Sequence, residues 1–152
     1  MIKRAKRESL NYHNIQFELG DFLEYELEHE GYDCIVSIAT IHHLPLDTFL
    51  NKANQALKPG GVLLVLDLYQ SRTVSDFLIS MMAVPVNIIY KLIKSGGIKV
   101  SEEERLAWNK HAQNDSYLTI KEIKALTDLI IPAAMVKRHL FWRYTIVWKK
   151  PI

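Results

Sequence analysis

Two adjacent histidines, His42 and His43, are the first candidates for chemistry in this sequence. Imidazole titrates near neutral pH, so either ring could act as a general base towards a substrate. Adjacent residues point in different directions and no third ligand stands near them, so a zinc site is not expected. The alternative interpretation is that the pair only shapes the turn that leads into a helix at Pro45. Both interpretations stay open at this point.

A carboxylate, Asp21, is the second candidate. It follows Gly20 at the end of residues 15–19, which alternate apolar and polar side chains as a half-exposed strand does. A carboxylate just beyond a strand lies at the edge where open α/β sheets bind ligands, and there it can accept a hydrogen bond from a ligand amine. The alternative is that Gly20-Asp21 is only a turn that caps the next segment.

The elements that must position these residues alternate between strand and helix. Residues 34–39 and 62–68 are almost continuously apolar, which is typical of strands buried on both faces. Between them lies a helical stripe, and Lys58-Pro59-Gly60-Gly61 then ends the helix. This order predicts two adjacent parallel strands in a three-layer α/β fold, with a preceding helix at residues 2–10. The stripe consists of Leu46, Phe49, Leu50, Ala53 and Leu57.

The last third of the chain is predicted to add helices and a hairpin. Ser101-x-x-Glu104 and Thr119-x-x-Glu122 are typical of capping boxes that begin helices. The β-prone runs 134–140 and 142–148 are separated by a single residue, which predicts an antiparallel hairpin at the sheet edge. Alternation would place four of its side chains on one face. These are Trp142, Tyr144, Ile146 and Trp148.

Composition limits the class of protein. The chain has 152 residues, of which 49% are hydrophobic and 24% charged, and this indicates one soluble globular domain. The net charge is only +2, so nucleic acid is not an expected partner. The cations of residues 3–7 are those of a solvated helix face. The apolar run 77–90 is too short and interrupted to span a membrane. The single cysteine, Cys34, excludes a disulfide framework and favours a reducing, cytoplasmic location.

Three segments together resemble class I S-adenosylmethionine-dependent methyltransferases, in the branch that acts on small molecules. They are Asn14-Ile-Gln-Phe-Glu-Leu-Gly-Asp21, then Tyr32-Asp-Cys-Ile-Val-Ser-Ile-Ala-Thr-Ile-His-His-Leu44, then Leu57-Lys-Pro-Gly-Gly-Val-Leu-Leu-Val65. The resemblance implies a Rossmann-like fold and S-adenosylmethionine as the cofactor.

The resemblance also implies roles for individual residues. Gly20, Asp21 and Phe22 would hold the adenine, while Ile38 and Ala39 would line the methionine end of the cofactor. Asp67, at the end of a strand, would face the acceptor pocket. Enzymes of this family that methylate amino groups of nucleic acids and proteins carry the signature Asn-Pro-Pro-Tyr. The corresponding stretch here is Ala39-Thr-Ile-His42, which does not match it. A small-molecule acceptor is therefore expected.

One departure from the family concerns the glycine-rich turn. None of the six glycines is spaced as G-x-G, and the chain begins where the helix after the family's second strand is expected. We therefore expect a single domain over residues 1–152 that lacks the first two strands of the family's sheet.

That departure has two expected consequences. The strand at residues 34–39 would then have a free edge and favour self-association. The chain alone would also bind the cofactor poorly. The alternative function is a non-catalytic, methyltransferase-like remnant that associates with a partner through this edge.

Overall fold

A computed structural model describes residues 2–70 and 117–152. The predicted capping box at Ser101 and the apolar run 77–90 lie outside these residues. The elements, in chain order, are α1 (Ile2–Glu8), β1 (Tyr32–Ile38), a 3₁₀ turn (Ile41–His43), α2 (Leu46–Ala56), β2 (Leu57–Leu68), α3 (Ile120–Ile130), β3 (Met135–Arg138) and β4 (Arg143–Lys149).

The described strands form one four-stranded sheet in the order β1-β2-β4-β3. β1 and β2 are parallel, with Ile35 opposite Leu63, and α2 makes the crossover between them. β4 runs antiparallel to β2, and β3 antiparallel to β4. The mixed α/β fold, the adjacent parallel strands and the C-terminal hairpin are therefore confirmed.

The core lies between one face of this sheet and the helices α2 and α3. The predicted apolar stripe of α2 is buried, with Leu50, Ala53 and Leu57 at 0% exposure. It packs on alternate residues of β2 and β4 together with Ile123 of α3. The predicted capping box begins α3, because Thr119 and Glu122 each accept a hydrogen bond from the other's backbone N–H.

The opposite face of the sheet is not covered by any described helix. Val36 and Ile38 of β1 are 58% and 63% exposed, and Leu64 and Val147 are exposed beside them. The expectation that both parallel strands are buried on both faces is therefore wrong for the described residues. The reason is that α2 and α3 pack against each other on the same side, so two of the three expected layers are present in this part of the chain.

Residues 15–19 do not form the predicted strand. They are irregular, and Leu19 is 88% exposed. An alternating segment becomes a strand only when a neighbouring strand satisfies its backbone, and residues 15–19 have no such neighbour in residues 2–70 and 117–152. β1 consequently forms one edge of the described sheet.

The hairpin differs from its prediction at one residue. Tyr144, Ile146 and Trp148 share the buried face as expected, but Trp142 is 43% exposed and lies in the turn before β4. Phe141 and Trp142 both have left-handed backbones, with φ of 61° and 56°. These two residues break the strand alternation, so Trp142 leaves the face that the sequence pattern assigned to it.

Candidate active site

The carboxyl ends of β1 and β2 meet at one edge of the sheet because the two strands are parallel. After β1, the Ala39 N–H donates to the Leu66 carbonyl at 2.8 Å. Ala39 has φ of 50°, a left-handed conformation that costs a non-glycine residue about 1 kcal/mol. This bend leads the chain into the 3₁₀ turn Ile41–His43, beside the end of β2.

Asp67, near the end of β2, fixes that turn. Its side chain is fully buried, and its Oδ2 accepts hydrogen bonds from the backbone N–H groups of Thr40 (3.0 Å) and Ile41 (2.5 Å). Its Oδ1 accepts from the Leu68 N–H at 2.7 Å and contacts His42 Nδ1 at 2.6 Å. Several donors thus compensate a buried carboxylate that would otherwise be costly.

The His42 ring is held on two sides. Its side chain is 8% exposed, and the Tyr117 ring stacks on it with centroids 5.5 Å apart and planes 16° apart. The His43 ring lies 4.0 Å away, tilted by 48°. The 3₁₀ turn therefore does shape the chain before Pro45, as one interpretation expected, but it also presents an imidazole bonded to a buried carboxylate.

His43 borders a cavity of about 440 Å³ between the start of α2 and the start of α3. Most of its wall is apolar, and Asp47 supplies a carboxylate. The remaining lining residues are Leu44, Pro45, Leu46, Leu118 and Leu126. This volume and composition suit a small organic molecule.

Asp21 lies in a turn, as the second interpretation of Gly20-Asp21 expected. Its Oδ1 accepts the Leu23 N–H at 2.8 Å, and its carbonyl accepts the Tyr25 N–H at 2.8 Å. The other carboxylate oxygen, Oδ2, has no hydrogen bond among the described residues, and Asp21 as a residue is exposed. The turn geometry therefore leaves Oδ2 able to accept a hydrogen bond from a ligand.

Phe22 and the turn around it contact α2 through ring packing and hydrogen bonds. The Phe22 ring packs on Phe49 with centroids 5.4 Å apart. The Lys52 ammonium lies 5.4 Å from the Phe22 centroid and donates to the carbonyls of Phe22 (3.0 Å), Leu23 (2.7 Å) and Tyr25 (3.0 Å). Sequence reasoning missed Lys52, because a lysine on a helix predicts only a solvated face.

The predicted site residues fall into two groups. Ile38 ends β1, and Ala39 and the histidine pair follow it. Ile38 also lines an apolar cavity of about 180 Å³ on the face of the sheet that no described helix covers. Gly20 and Phe22 instead line a cavity of about 450 Å³. That cavity is completed by Gln16, Glu18, Tyr25 and Tyr32.

Two tyrosines near these groups have raised pKa values. Burial raises the pKa of Tyr144, and the charge of Asp67 raises it further, since the two residues are opposite one another on β4 and β2. A hydrogen bond to Glu18, with that residue's charge, raises the pKa of Tyr25 at the surface. The buried carboxylate at the strand ends thus affects the neighbouring antiparallel strand as well as the histidine.

Two further features bear on the class of site. In residues 2–70 and 117–152, no group of three histidine, cysteine or acidic side chains is placed to hold a metal ion. Over the same residues, no helix has the length and apolar character needed to cross a membrane.

Comparison with known proteins gives one consistent result. A family model described as a methyltransferase domain matches residues 1–140. An uncharacterized methyltransferase of Mycobacterium tuberculosis is 23% identical over 155 aligned positions, covering 100% of this chain and 72% of its own length. Sterol 24-C-methyltransferase of Candida albicans is 34% identical over 65 residues, which are 40% of this chain and 17% of that enzyme.

The fold is also similar to that of a solved methyltransferase. The structure of the S-adenosylmethionine-dependent methyltransferase SibL superposes with a TM-score of 0.60 at 12% identity, covering 99% of this chain and 40% of that one. At that identity the likeness concerns the fold alone. Because the family model spans most of the chain, the chain belongs to the methyltransferase domain family, as the three motif segments predicted.

Proposed function

We propose that this protein transfers a methyl group from S-adenosylmethionine to a small-molecule acceptor, with the acceptor's reacting atom beside His42. The observation that carries the proposal is the Asp67–His42 pair at 2.6 Å, located where the carboxyl ends of two adjacent parallel strands meet. Ligands of open α/β sheets bind at that edge. The family membership supplies the reaction class.

The described residues offer suitable groups to the cofactor. Asp21 Oδ2 is a free acceptor for the adenine amine, and the exposed Ile38 and the bend at Ala39 offer apolar surface and backbone at the strand end. Gly20 and Phe22 belong to the same turn as Asp21. S-adenosylmethionine, when bound, supplies a methyl group on a sulfonium and leaves as a thioether.

The acceptor is proposed to occupy the cavity lined by His43 and to extend from there towards His42, whose ring lies 4.0 Å from that of His43. The cavity's volume of about 440 Å³ and largely apolar wall suit a small apolar molecule, and the carboxylate of Asp47 can orient a polar end. Sterol 24-C-methyltransferase of Candida albicans, which is similar to part of this chain, acts by its name on a sterol, an apolar small molecule. In-line methyl transfer needs mainly that the two reactants be held close and aligned.

Calorimetric titration with S-adenosylmethionine tests the cofactor site. We expect saturable binding that weakens at least about tenfold in Ile38→Lys, because the added cation repels the sulfonium. Val36→Lys is the matched control: it lies on the same strand and face, is similarly exposed at 58% against 63%, and is two residues farther from the strand end. Equal affinity of the two variants would contradict the placement.

The same titration separates the proposal from the non-catalytic alternative. A remnant that only associates through the edge of β1 would show no binding of S-adenosylmethionine in the wild-type chain. The family membership and the relatives favour methyl transfer over that alternative.

A further inference from the structure

We propose that α1 and the turn after it form a docking surface for a negatively charged lipid membrane. The first observation is the concentration of positive charge in α1. Four of the seven residues of Ile2–Glu8 are cations, and all four are exposed. They are Lys3, Arg4, Lys6 and Arg7. Docking of this kind goes beyond the proposed function and does not depend on methyl transfer.

The four cations lie on one side of α1. At 3.6 residues per turn they fall within an arc of about 160° around the helix axis. The half-buried residues Ile2 and Ala5 lie on the opposite side, and no residue of α1 belongs to the hydrophobic core of the described residues. The basic side of α1 therefore faces solvent.

Most of this charge is not neutralised by ion pairs. Arg4 pairs at 2.7 Å with Glu8, the single acidic residue of α1, but both side chains are largely exposed, so the pair is weak. Lys3, Lys6 and Arg7 form no ion pair within residues 2–70 and 117–152. Each free cation near a negatively charged membrane raises the affinity about fivefold.

Exposed apolar side chains accompany the cations. Leu10 follows Lys6 by four residues, a spacing that places two side chains on the same helix face. The Ser9 N–H donates to the Ala5 carbonyl at 3.0 Å, which continues the helical turn up to this point. Leu10 is 73% exposed, and Tyr12 just beyond it is 60% exposed. Cations beside a leucine and an amphipathic tyrosine ring suit the boundary between lipid headgroups and acyl chains.

The exposed leucine favours lipid over nucleic acid as the partner. Cations bind a phosphate backbone through charge and hydrogen bonds, and an aliphatic side chain adds nothing to those contacts. Lipid acyl chains instead remove the leucine from water. A membrane is also where an apolar acceptor of the kind proposed above is concentrated.

A separation of charge along the chain orients the docked protein. Residues 18–33 contain seven carboxylates and no lysine or arginine. A negatively charged surface therefore attracts α1 and repels this acidic stretch. The seven are Glu18, Asp21, Glu24, Glu26, Glu28, Glu30 and Asp33.

Sedimentation of the protein with lipid vesicles, without S-adenosylmethionine, tests the docking surface. The probes are vesicles of phosphatidylcholine alone and vesicles in which about one third is phosphatidylserine. We expect an affinity at least about tenfold higher for the negatively charged vesicles. This preference should fall as salt is added, because salt screens exposed charges. Equal affinity for the two vesicles, or no binding to either, would overturn the inference and leave the proposed function standing.

A triple variant tests whether the attraction comes from α1. It combines Lys3→Gln, Lys6→Gln and Arg7→Gln, and it should bind the negatively charged vesicles at least about 30-fold more weakly. Since α1 has no buried residue, its unfolding in urea should match that of the wild type. An equal loss of affinity in the control would contradict a surface confined to α1. The control removes the same charge from exposed lysines of α3 and β3, by Lys121→Gln, Lys124→Gln and Lys137→Gln.

Leu10→Ser tests whether the surface enters the lipid. We expect the affinity for the negatively charged vesicles to fall about tenfold, because the leucine is no longer removed from water. Leu129→Ser, at a position of α3 that is 79% exposed, is the matched control and should bind as the wild type does. Wild-type affinity in Leu10→Ser would overturn the assignment to lipid. If the triple variant fails to fold, Leu10→Ser and the two vesicle compositions still decide.

Nucleic acid is the other partner that a basic surface can bind. Fluorescence anisotropy with labelled duplex DNA and single-stranded RNA measures this alternative. We expect no binding at protein concentrations that saturate the negatively charged vesicles. Binding that the triple variant abolishes and Leu10→Ser preserves would overturn the inference and assign the surface to nucleic acid.

Discussion

The sharpest test of the cofactor site is Asp21→Asn, because it separates the two interpretations of this residue. Asp21 Oδ1 accepts the Leu23 N–H at 2.8 Å and stabilises the turn, while Oδ2 has no partner among the described residues. Asparagine keeps the first bond, since its oxygen must face the Leu23 N–H. It replaces the free oxygen by an NH₂ group, which cannot accept a hydrogen bond from an adenine amine.

The size of the effect follows from one lost hydrogen bond to a carboxylate. Such bonds contribute about 1.5–3 kcal/mol, and the exposure of Asp21 reduces this to about 1–2 kcal/mol. We therefore expect the Kd for S-adenosylmethionine to rise about 5- to 30-fold, with little change in stability. Calorimetry measures the first quantity and urea unfolding the second.

Two controls make this result interpretable. Asp33→Asn removes the same charge from an exposed aspartate at the start of β1 and should leave the affinity unchanged. Asp21→Ala loses the turn bond as well and should be destabilised in addition. Wild-type affinity in Asp21→Asn would refute the adenine role and leave Asp21 as a turn residue only.

The remaining predictions concern stability and association. Lys150→Met should lower the free energy of unfolding by about 2 kcal/mol, because the ammonium donates to the Asn54 and Leu57 carbonyls at 2.9 and 2.8 Å at the end of α2. Lys149→Met, at the neighbouring exposed position, should change the free energy of unfolding by less than about 0.5 kcal/mol. Equal losses of the two variants in urea titrations would contradict this prediction. Because the pKa of Tyr144 is raised in the folded protein, its contribution to stability is complete below pH 10, the ordinary tyrosine value, and is lost as the pH rises above it. The loss of stability at alkaline pH should therefore be smaller in Tyr144→Phe. An unchanged dependence of the free energy of unfolding on pH would exclude Tyr144 as its cause. Sedimentation should show a dimer or larger species that pairs through β1, an edge strand of the sheet formed by the described residues. Val36→Lys should shift this species towards monomer, while Met135→Lys, on the strand at the opposite edge, should not. A wild-type monomer would refute the association.

Much of the fold follows from local patterns in the sequence. The apolar runs, the stripe of α2 and the capping box of α3 depend on residues that are close in sequence, so each could be recognised from side-chain type and spacing. The parallel pairing of β1 and β2 follows because one helix connects two apolar strands. The strand predicted at residues 15–19 failed because a strand also needs a partner, which alternation alone does not provide.

The candidate site could be predicted only in part. His42, His43 and Asp21 were identified from residue type and position, but nothing local linked His42 to Asp67, which is 25 residues away in the chain. A charged residue within the apolar run 62–68 was the available signal. The role of Lys52 as the donor to three carbonyls of the turn had no signal at all.

The sequence by itself therefore determined which segments form most of the strands and helices, and which residue types could do chemistry. The tertiary structure decided which of those residues meet. The parallel register places Ile38 opposite Leu66, and this brings the turn after β1 to the carboxylate of Asp67. It also decided which face of the sheet the described helices cover. Periodicity is a property of neighbouring residues, whereas hydrogen-bond partners and covered faces depend on how distant segments pack.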